Sequence, residues 1–538
     1  MDNQRTFLAI FLSLAILIGY QYFFVPAPPP EQAASVEAPA APAKPAAPPA
    51  TLSAPVKVAQ PLREGRDIPV ETSLYSAVVS EAGGMVKSFR LKRFREALAK
   101  DSGPKELVKT TLAEGLPLDF SWGSEPGMAP PVAYEAAVAG VKTAEGGQTE
   151  LVMRGVLANG AEVIRILRMS DQHYLMELSV EVANTTGQPI SGAPYLALVN
   201  RPFAAATTGV FTGPAALVDG ALSEIKTDDL KKGSKSLTGQ VAWAAYEDSY
   251  FMAAIVPDAE AKHTANFALI GEEVARTVLA GPADTLQPGQ RRLYRYQVYM
   301  GPKHLETLKA AGHDLDRSVD FGWFDVMAKP TLYLLNFLHR YVGNYGVAII
   351  LVTILIKLAF WPIAQKGMES MKTMQKLQPK MAKLREKYKD DKARQQQEMM
   401  KLYQTYKVNP VGGCLPMLLQ IPVFFALYKV LLMTIELRHA PFLLWITDLS
   451  APDRLFIGFD IPFLGGIPVL TLLMGATMFL QQKMTPSSAD PDQQKIMMFL
   501  PVIFTFMFLN FASGLVLYWF VNNLLSIGQQ YLVNRKAD

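Results

Sequence analysis

Residues 345–361 read Tyr345-Gly-Val-Ala-Ile-Ile-Leu-Val-Thr-Ile-Leu-Ile-Lys-Leu-Ala-Phe-Trp361, an apolar run broken by one cation, Lys357. Apart from that lysine the run has the composition of a membrane-spanning helix. A cation in a span costs roughly 2.5–3.5 kcal/mol at mid-membrane, so it persists only where it faces protein, water or a ligand, or reaches the headgroups. Lys357 stands four residues before Trp361, about 6 Å along a helix. Its butyl stem could carry the ammonium that far. Position alone leaves two readings open, a functional intramembrane charge and a snorkelling lysine.

Working outward, residues 342–362 read as the span around Lys357, and apolar stretches at 416–436, 467–482, 496–511 and 514–533 read as four more. Several fall short of the about 20 residues a hydrocarbon core requires, which predicts local membrane thinning or a recessed bundle. Residues 1–25 are a further apolar run, closed by Tyr20, Tyr22, Phe23 and Phe24. That aromatic belt predicts a retained anchor rather than a cleaved signal peptide. The expected class is an α-helical integral membrane protein of six spans. Residues 26–61, mostly Pro, Ala, Val, Gln and Ser, read as an extended tether.

Residues 62–302 change character. Short alternating runs such as Tyr174-Leu-Met-Glu-Leu-Ser-Val-Glu-Val182 and Arg292-Leu-Tyr-Arg-Tyr-Gln-Val-Tyr299 are separated by Gly and Asn turns. This predicts a large all-β sandwich. Trp243 and Tyr246 are candidates for a ligand groove there, with core packing as the plainer reading. Cys414 is the only cysteine among 538 residues, so the domain must hold by its own core. The sequence carries no zinc spacing, no phosphate-binding loop, no nucleophile elbow and no nucleic-acid motif. It gives no catalytic constellation, no enzyme and no cofactor.

Residues 316–340 begin with Ser318-Val-Asp-Phe-Gly-Trp-Phe-Asp-Val-Met-Ala-Lys329, where Phe321, Phe324 and Met327 recur at helical spacing. They predict an amphipathic helix in the membrane interface. Residues 365–410 hold 12 Lys and Arg against 5 Asp and Glu, while the whole chain nets only +4. The positive-inside rule places that segment in the cytoplasm. Counting spans from it puts both termini inside and the β domain outside. Met371, Met374, Leu377, Met381, Leu384 and Tyr388 face Met399, Leu402, Tyr403 and Tyr406 across Asp390-Asp391. This reads as a basic helical hairpin flanked by polar stretches at 365–367 and 409–413. Its methionines either zip the two helices together or offer a plastic docking surface, and its charge also suits anionic lipid.

Several stretches are familiar as they stand: Gln378-Pro-Lys-Met-Ala-Lys-Leu-Arg-Glu386, Gln397-Glu-Met-Met-Lys-Leu-Tyr403, Val408-Asn-Pro-Val-Gly-Gly-Cys-Leu-Pro416, Leu419-Gln-Ile-Pro-Val-Phe-Phe-Ala-Leu-Tyr428, Gln493-Gln-Lys-Ile-Met497, Pro501-Val-Ile-Phe504 and Ser513-Gly-Leu-Val-Leu-Tyr-Trp519. Over about 321–533 the chain closely resembles the YidC membrane protein insertase family. The anchor, tether and β domain resemble its Gram-negative arrangement, which places the chain in a bacterial inner membrane with the β domain periplasmic. The resemblance implies a five-helix core at 341–538 holding a polar groove that is open to cytoplasm and lipid and closed outward. It implies insertion and folding of nascent membrane proteins, alone or beside the Sec translocon, with ribosome and signal-recognition components meeting the cytoplasmic hairpin. The family's groove usually carries Arg where this chain has Lys357, which keeps the charge and loses the planar fork.

On that reading Lys357 attracts an acidic segment of the substrate. Thr353, one turn earlier, together with Gln420, Asn522, Tyr518 and Trp519, are the remaining candidate lining residues. Gln420 and Asn522 also suit plain interhelical hydrogen bonding. Phe424, Phe425, Met498 and Phe504 are candidates for an apolar slide into lipid. Two rival classes are a solute transporter, which predicts internal repeats the sequence lacks, and an anchored receptor whose function lies in the β domain.

Overall fold

The computed structural model describes residues 65–99, 101–126, 131–204, 210–258, 261–389, 391–406, 415–459, 461, 464–485 and 491–535. The expected anchor at 1–25, the tether at 26–61, the 409–413 stretch and Cys414 lie outside the described residues.

From 65 to 302 the backbone is mostly extended. Alternating side chains set one face of each strand inward: in Glu162–Ser170 the buried positions are Val163, Arg165, Leu167, Met169 and Ser170. That strand pairs antiparallel with Leu175–Ala183, Val180 opposite Arg165, and Leu175–Ala183 pairs in turn with Arg291–Pro302, Leu178 opposite Tyr296. These three strands belong to a nine-stranded sheet that continues through Phe251–Pro257, Val241–Glu247 and Gly213–Val218. A five-stranded sheet containing Pro194–Asn200 and Val274–Ala280 packs across Val241–Glu247. Every residue of Phe251–Pro257 is buried, so its sequence is a continuous apolar run instead of an alternating one. A second five-stranded sheet, with Tyr75–Ser80 and Val86–Arg95 at its centre, completes the domain.

Trp243 and Tyr246 do not line a groove. Trp243 is wholly enclosed, its indole Nε1 donating to the Asp314 carbonyl at 3.1 Å, and Tyr246 meets Phe203 edge to face. Such a Trp is worth about 3–5 kcal/mol against Ala.

Below the sheets the chain turns through two short 3-10 segments, Leu315–Ser318 and Gly322–Phe324, before α1, Asp325–Val342. The helix therefore starts later than its periodicity from Ser318 predicts. Gly322 takes a positive φ of 65°, and Asp320 Oδ1 accepts from its N–H at 2.8 Å, which closes a turn where a helix was expected. Trp323, Val326, Phe337 and Tyr341 stand exposed along one side of this segment, and Ala328, Leu332 and Leu335 are buried on the other.

Next comes α2, Tyr345–Lys387, 43 residues long, capped by Asn344, whose Oδ1 accepts from the Val347 N–H at 3.1 Å. It carries both the apolar run and the first half of the basic hairpin without a break. The polar stretch at 365–367 is helical, and Gln365 donates to Glu369 one turn on at 3.0 Å. Among the described residues α2 is the one helix long and apolar enough to cross a membrane. The return arm is α3, Lys392–Thr405, capped by Asp391. Met374, Leu377 and Met381 form a small separate core with Met399, Leu402 and Tyr403. The methionine stripe thus zips the hairpin.

Four helices follow: α4 (Leu415–Met433), α5 (Val469–Met484), α6 (Pro491–Phe508) and α7 (Ser513–Arg535). The 16 residues of α5 span about 24 Å at the usual rise, less than the about 30 Å of a hydrocarbon core. Helix α7 packs against α2, α4 and α5, and α1 bridges α2 and α4. Gly475 allows α5 and α6 to close together, because a Cβ there would collide with the Thr505 side chain. Asp453 anchors the loop between α4 and α5. It accepts from Trp445 Nε1 at 2.6 Å and from the Leu470 and Thr471 N–H groups at 2.5 and 3.2 Å. A carboxylate in that place both caps α5 and suits the positive end of its dipole.

The β domain rests on this loop. Arg438 donates to the carbonyls of Arg95 and Glu96 at 2.9 and 3.1 Å and lies over the Phe251 ring. Glu436 joins His304 of the β-domain side to Asn336 of α1, at 3.3 and 3.1 Å.

Candidate functional site

Helices α2, α4 and α7 border a small, open-mouthed cleft with room for about 40 Å³ of water-sized occupants. Ile356, Lys357, Phe360, Ile363 and Ala364 of α2, Gln420 and Val423 of α4, and Asn522 of α7 line it. The apolar majority of these residues is what a membrane helix supplies anywhere. The polar minority comes together only because the three helices meet here.

Lys357 is half-buried, and its Nζ donates to Ser526 Oγ at 2.7 Å. Ser526 is enclosed and donates in turn to the Asn522 carbonyl, one turn back, at 2.8 Å. Gln420 Nε2 donates to Asn522 Oδ1 at 3.2 Å. One turn along α7, Gln529 donates to the Trp361 carbonyl at 3.3 Å. Among the described residues no carboxylate pairs with Lys357. The ammonium is held by neutral oxygen alone.

The structure divides the predicted residues. Lys357, Gln420 and Asn522 line one cleft. Thr353 does not: it is 2% exposed, and its hydroxyl donates to the Ile349 carbonyl of its own helix at 2.7 Å. Tyr518 and Trp519 stand behind the cleft in an aromatic cluster. There Trp519 meets Phe424 at 4.7 Å, Phe508 at 4.8 Å and Phe504 at 6.1 Å. Of the four slide candidates, Phe424 and Phe504 are therefore packed between helices. Phe425 and Met498 are exposed, Phe425 stacking on Phe324 at 5.4 Å. Ser526 and Gln529 were not singled out from sequence. Their signal is the spacing Asn522, Ser526, Gln529, one of two polar rows along a mostly apolar helix, the other being Asn523 and Gln530, which bond Thr477 and Thr485 of α5.

Outside the membrane helices, burial governs the charges. Lys303 pairs with the enclosed Glu247 at 3.0 Å, and burial pushes the Glu247 carboxyl up despite that partner. Burial likewise pushes Asp119 up to about 6, against the pull of Arg276 and Arg165.

Comparison with known proteins agrees with this division. Residues 67–334 match the family model of the YidC periplasmic domain, and residues 337–538 match that of the 60Kd inner membrane protein. A membrane protein insertase YidC of Syntrophobacter fumaroxidans is 43% identical over 99% of this chain and 100% of its own length. One from Citrifermentans bemidjiense is 41% identical over 99% of each. A solved structure of an active YidC insertase with its first transmembrane domain resolved covers 87% of this chain and 93% of its own, at 19% identity and a TM-score of 0.37. The chain belongs to the YidC family of membrane protein insertases. It is an inner-membrane protein with a periplasmic domain.

Proposed function

We propose that this chain inserts and helps fold inner-membrane proteins through the cleft between α2, α4 and α7. The observation that carries the reading is Lys357, a cation in an apolar helix whose described partners are all neutral. A charge so placed attracts an acidic segment of a substrate. Gln420 and Asn522 lower the cost of bringing polar backbone partway across. The exposed apolar faces of α4 and α6, with Phe425 and Met498, then offer the substrate helix a path into lipid.

The arrangement that goes with this function has six spans, the 1–25 anchor included, with both termini cytoplasmic. The α2–α3 hairpin, basic and methionine-rich, meets ribosome and signal-recognition components. The bundle works alone on small substrates and beside the Sec translocon on larger ones. The exposed ridge of Trp323, Val326, Phe337 and Tyr341 lies in the outer membrane interface and fixes the outer end of α2. The experiment is reconstitution of the purified full chain in liposomes with a small single-span inner-membrane protein. Protease protection of the translocated tail without any other protein is expected. Protection no greater than in empty liposomes overturns the reading.

A further inference from the structure

Lys357 has an unusual partner for a half-buried cation. Among the described residues its one hydrogen bond goes to Ser526 Oγ. An ammonium has three donors, so that contact leaves two of them free to face the cleft. Ser526 is itself oriented. Its hydroxyl hydrogen is committed to the Asn522 carbonyl at 2.8 Å, which leaves its lone pairs for Nζ. The Gln529 bond to the Trp361 carbonyl holds α7 in register with α2 one turn beyond. This second clamp fixes where Ser526 stands relative to Lys357. The cation is thereby drawn toward α7 and the cleft wall, and away from the route toward Trp361 that its long stem permits.

We propose that Ser526 is a positioning residue that sets the charge specificity of insertion. It aims Lys357 into the cleft while leaving its charge uncompensated. A carboxylate at the same place would also hold the ammonium, and would cancel the field that selects an acidic substrate segment. A hydroxyl holds it without cancelling. Asn522 serves both layers, its side chain accepting from Gln420 and its carbonyl orienting Ser526. The proposal rests on the cleft being the path of insertion.

The test uses the full chain in liposomes and two versions of one single-span substrate. One translocated tail carries two Asp, and the other carries Asn in their place. The readout is the ratio of acidic-tail to neutral-tail insertion rates, which an overall loss of folded protein does not move. Ser526→Asp should lower that ratio about tenfold, to the level of Lys357→Ala, because one carboxylate beside the ammonium removes its net charge. Ser526→Ala should lower it about threefold by letting the lysine leave the cleft, and Ser526→Thr should restore it. A ratio unchanged in Lys357→Ala defeats the cleft reading and the proposal with it. A ratio that collapses in Lys357→Ala but stays at the wild-type value in both Ser526→Asp and Ser526→Ala defeats the role of Ser526 alone. If Ser526→Asp yields no folded protein, the Ala and Thr pair decides: no fall with Ala, or no recovery with Thr, overturns the proposal.

Discussion

The two halves of this molecule treat a lysine drawn out of solvent in opposite ways. In the β domain Lys105 is 1% exposed and pairs with Glu96 at 2.9 Å, and Lys303 is buried against Glu247 at 3.0 Å. In the bundle Lys357 has Ser526 and no described carboxylate. Arg165 is the domain's intermediate case. Its guanidinium donates to the Leu118 carbonyl at 2.8 Å, and Asp119 is the nearby carboxylate that favours its charge. A lone buried charge is strongly destabilising when its partner is missing, so a structural lysine comes with its carboxylate. A lysine held ready for an incoming carboxylate does not. On the proposed function, the difference is between a domain that holds its shape and a bundle that receives the substrate.

The comparison breaks most visibly on deletion. Removing 67–302 should leave insertion by the bundle intact, because every cleft residue comes from α2, α4 and α7. Extending the deletion through 342 should abolish growth in a depletion–rescue strain, since α1 packs on both α2 and α4. Equal loss of growth from both deletions, with both proteins present in the membrane, would move the function into the β domain. The anchored-receptor reading would then gain.

A smaller effect sharpens the rule for paired lysines. Lys303→Ala strands Glu247 and should cost the β domain about 3–5 kcal/mol, read as a lower midpoint of thermal or denaturant unfolding. Lys303→Ala combined with Glu247→Leu should recover most of that loss. A double variant as unstable as the single one would mean that packing, and not the stranded charge, sets the cost.

The smallest effect concerns pH. Burial raises Asp119 from its ordinary 3.8 to about 6, so the folded state holds a proton that the unfolded chain has released. Stability from this group is fully present below about pH 4 and is lost as pH rises through 6. Asp119→Asn should flatten the fall of unfolding midpoint between pH 4 and 6 and raise it at neutral pH. An unchanged slope would show that Arg165 and Arg276 hold the carboxylate ionised after all.

Much of this was legible in the chain. Lys357 stands out because a cation in an apolar run is costly, although its position alone also allows snorkelling, and Gln420 and Asn522 stand out for the same cause. Alternation revealed the β domain, although Phe251–Pro257 lies buried on both faces and does not alternate. Thr353 misled, because position on a helical face does not give the direction of a hydroxyl. A buried Thr in a helix commonly donates to the carbonyl four residues back, as this one does. Ser526 escaped notice because a serine in a membrane helix is common and its meaning depends on α2 lying opposite. The start of α1 was misplaced for a local reason, the Gly322 turn. The polarity of 365–367 suggests a flank to the hairpin, yet Gln365 and Glu369 tie it into the helix.

The central claim is that substrate passes beside Lys357, and the most direct measurement is a contact map of an insertion intermediate. Cys414 is the only cysteine, so a Cys414→Ser background accepts single cysteines at chosen sites. Ile363→Cys and Gln420→Cys face the cleft, and Leu472→Cys lies exposed on α5 away from it. A stalled nascent membrane protein carrying one cysteine in its translocated segment should crosslink strongly to the first two and weakly to the third. Crosslinking at Leu472→Cys that equals or exceeds both cleft positions would contradict the account.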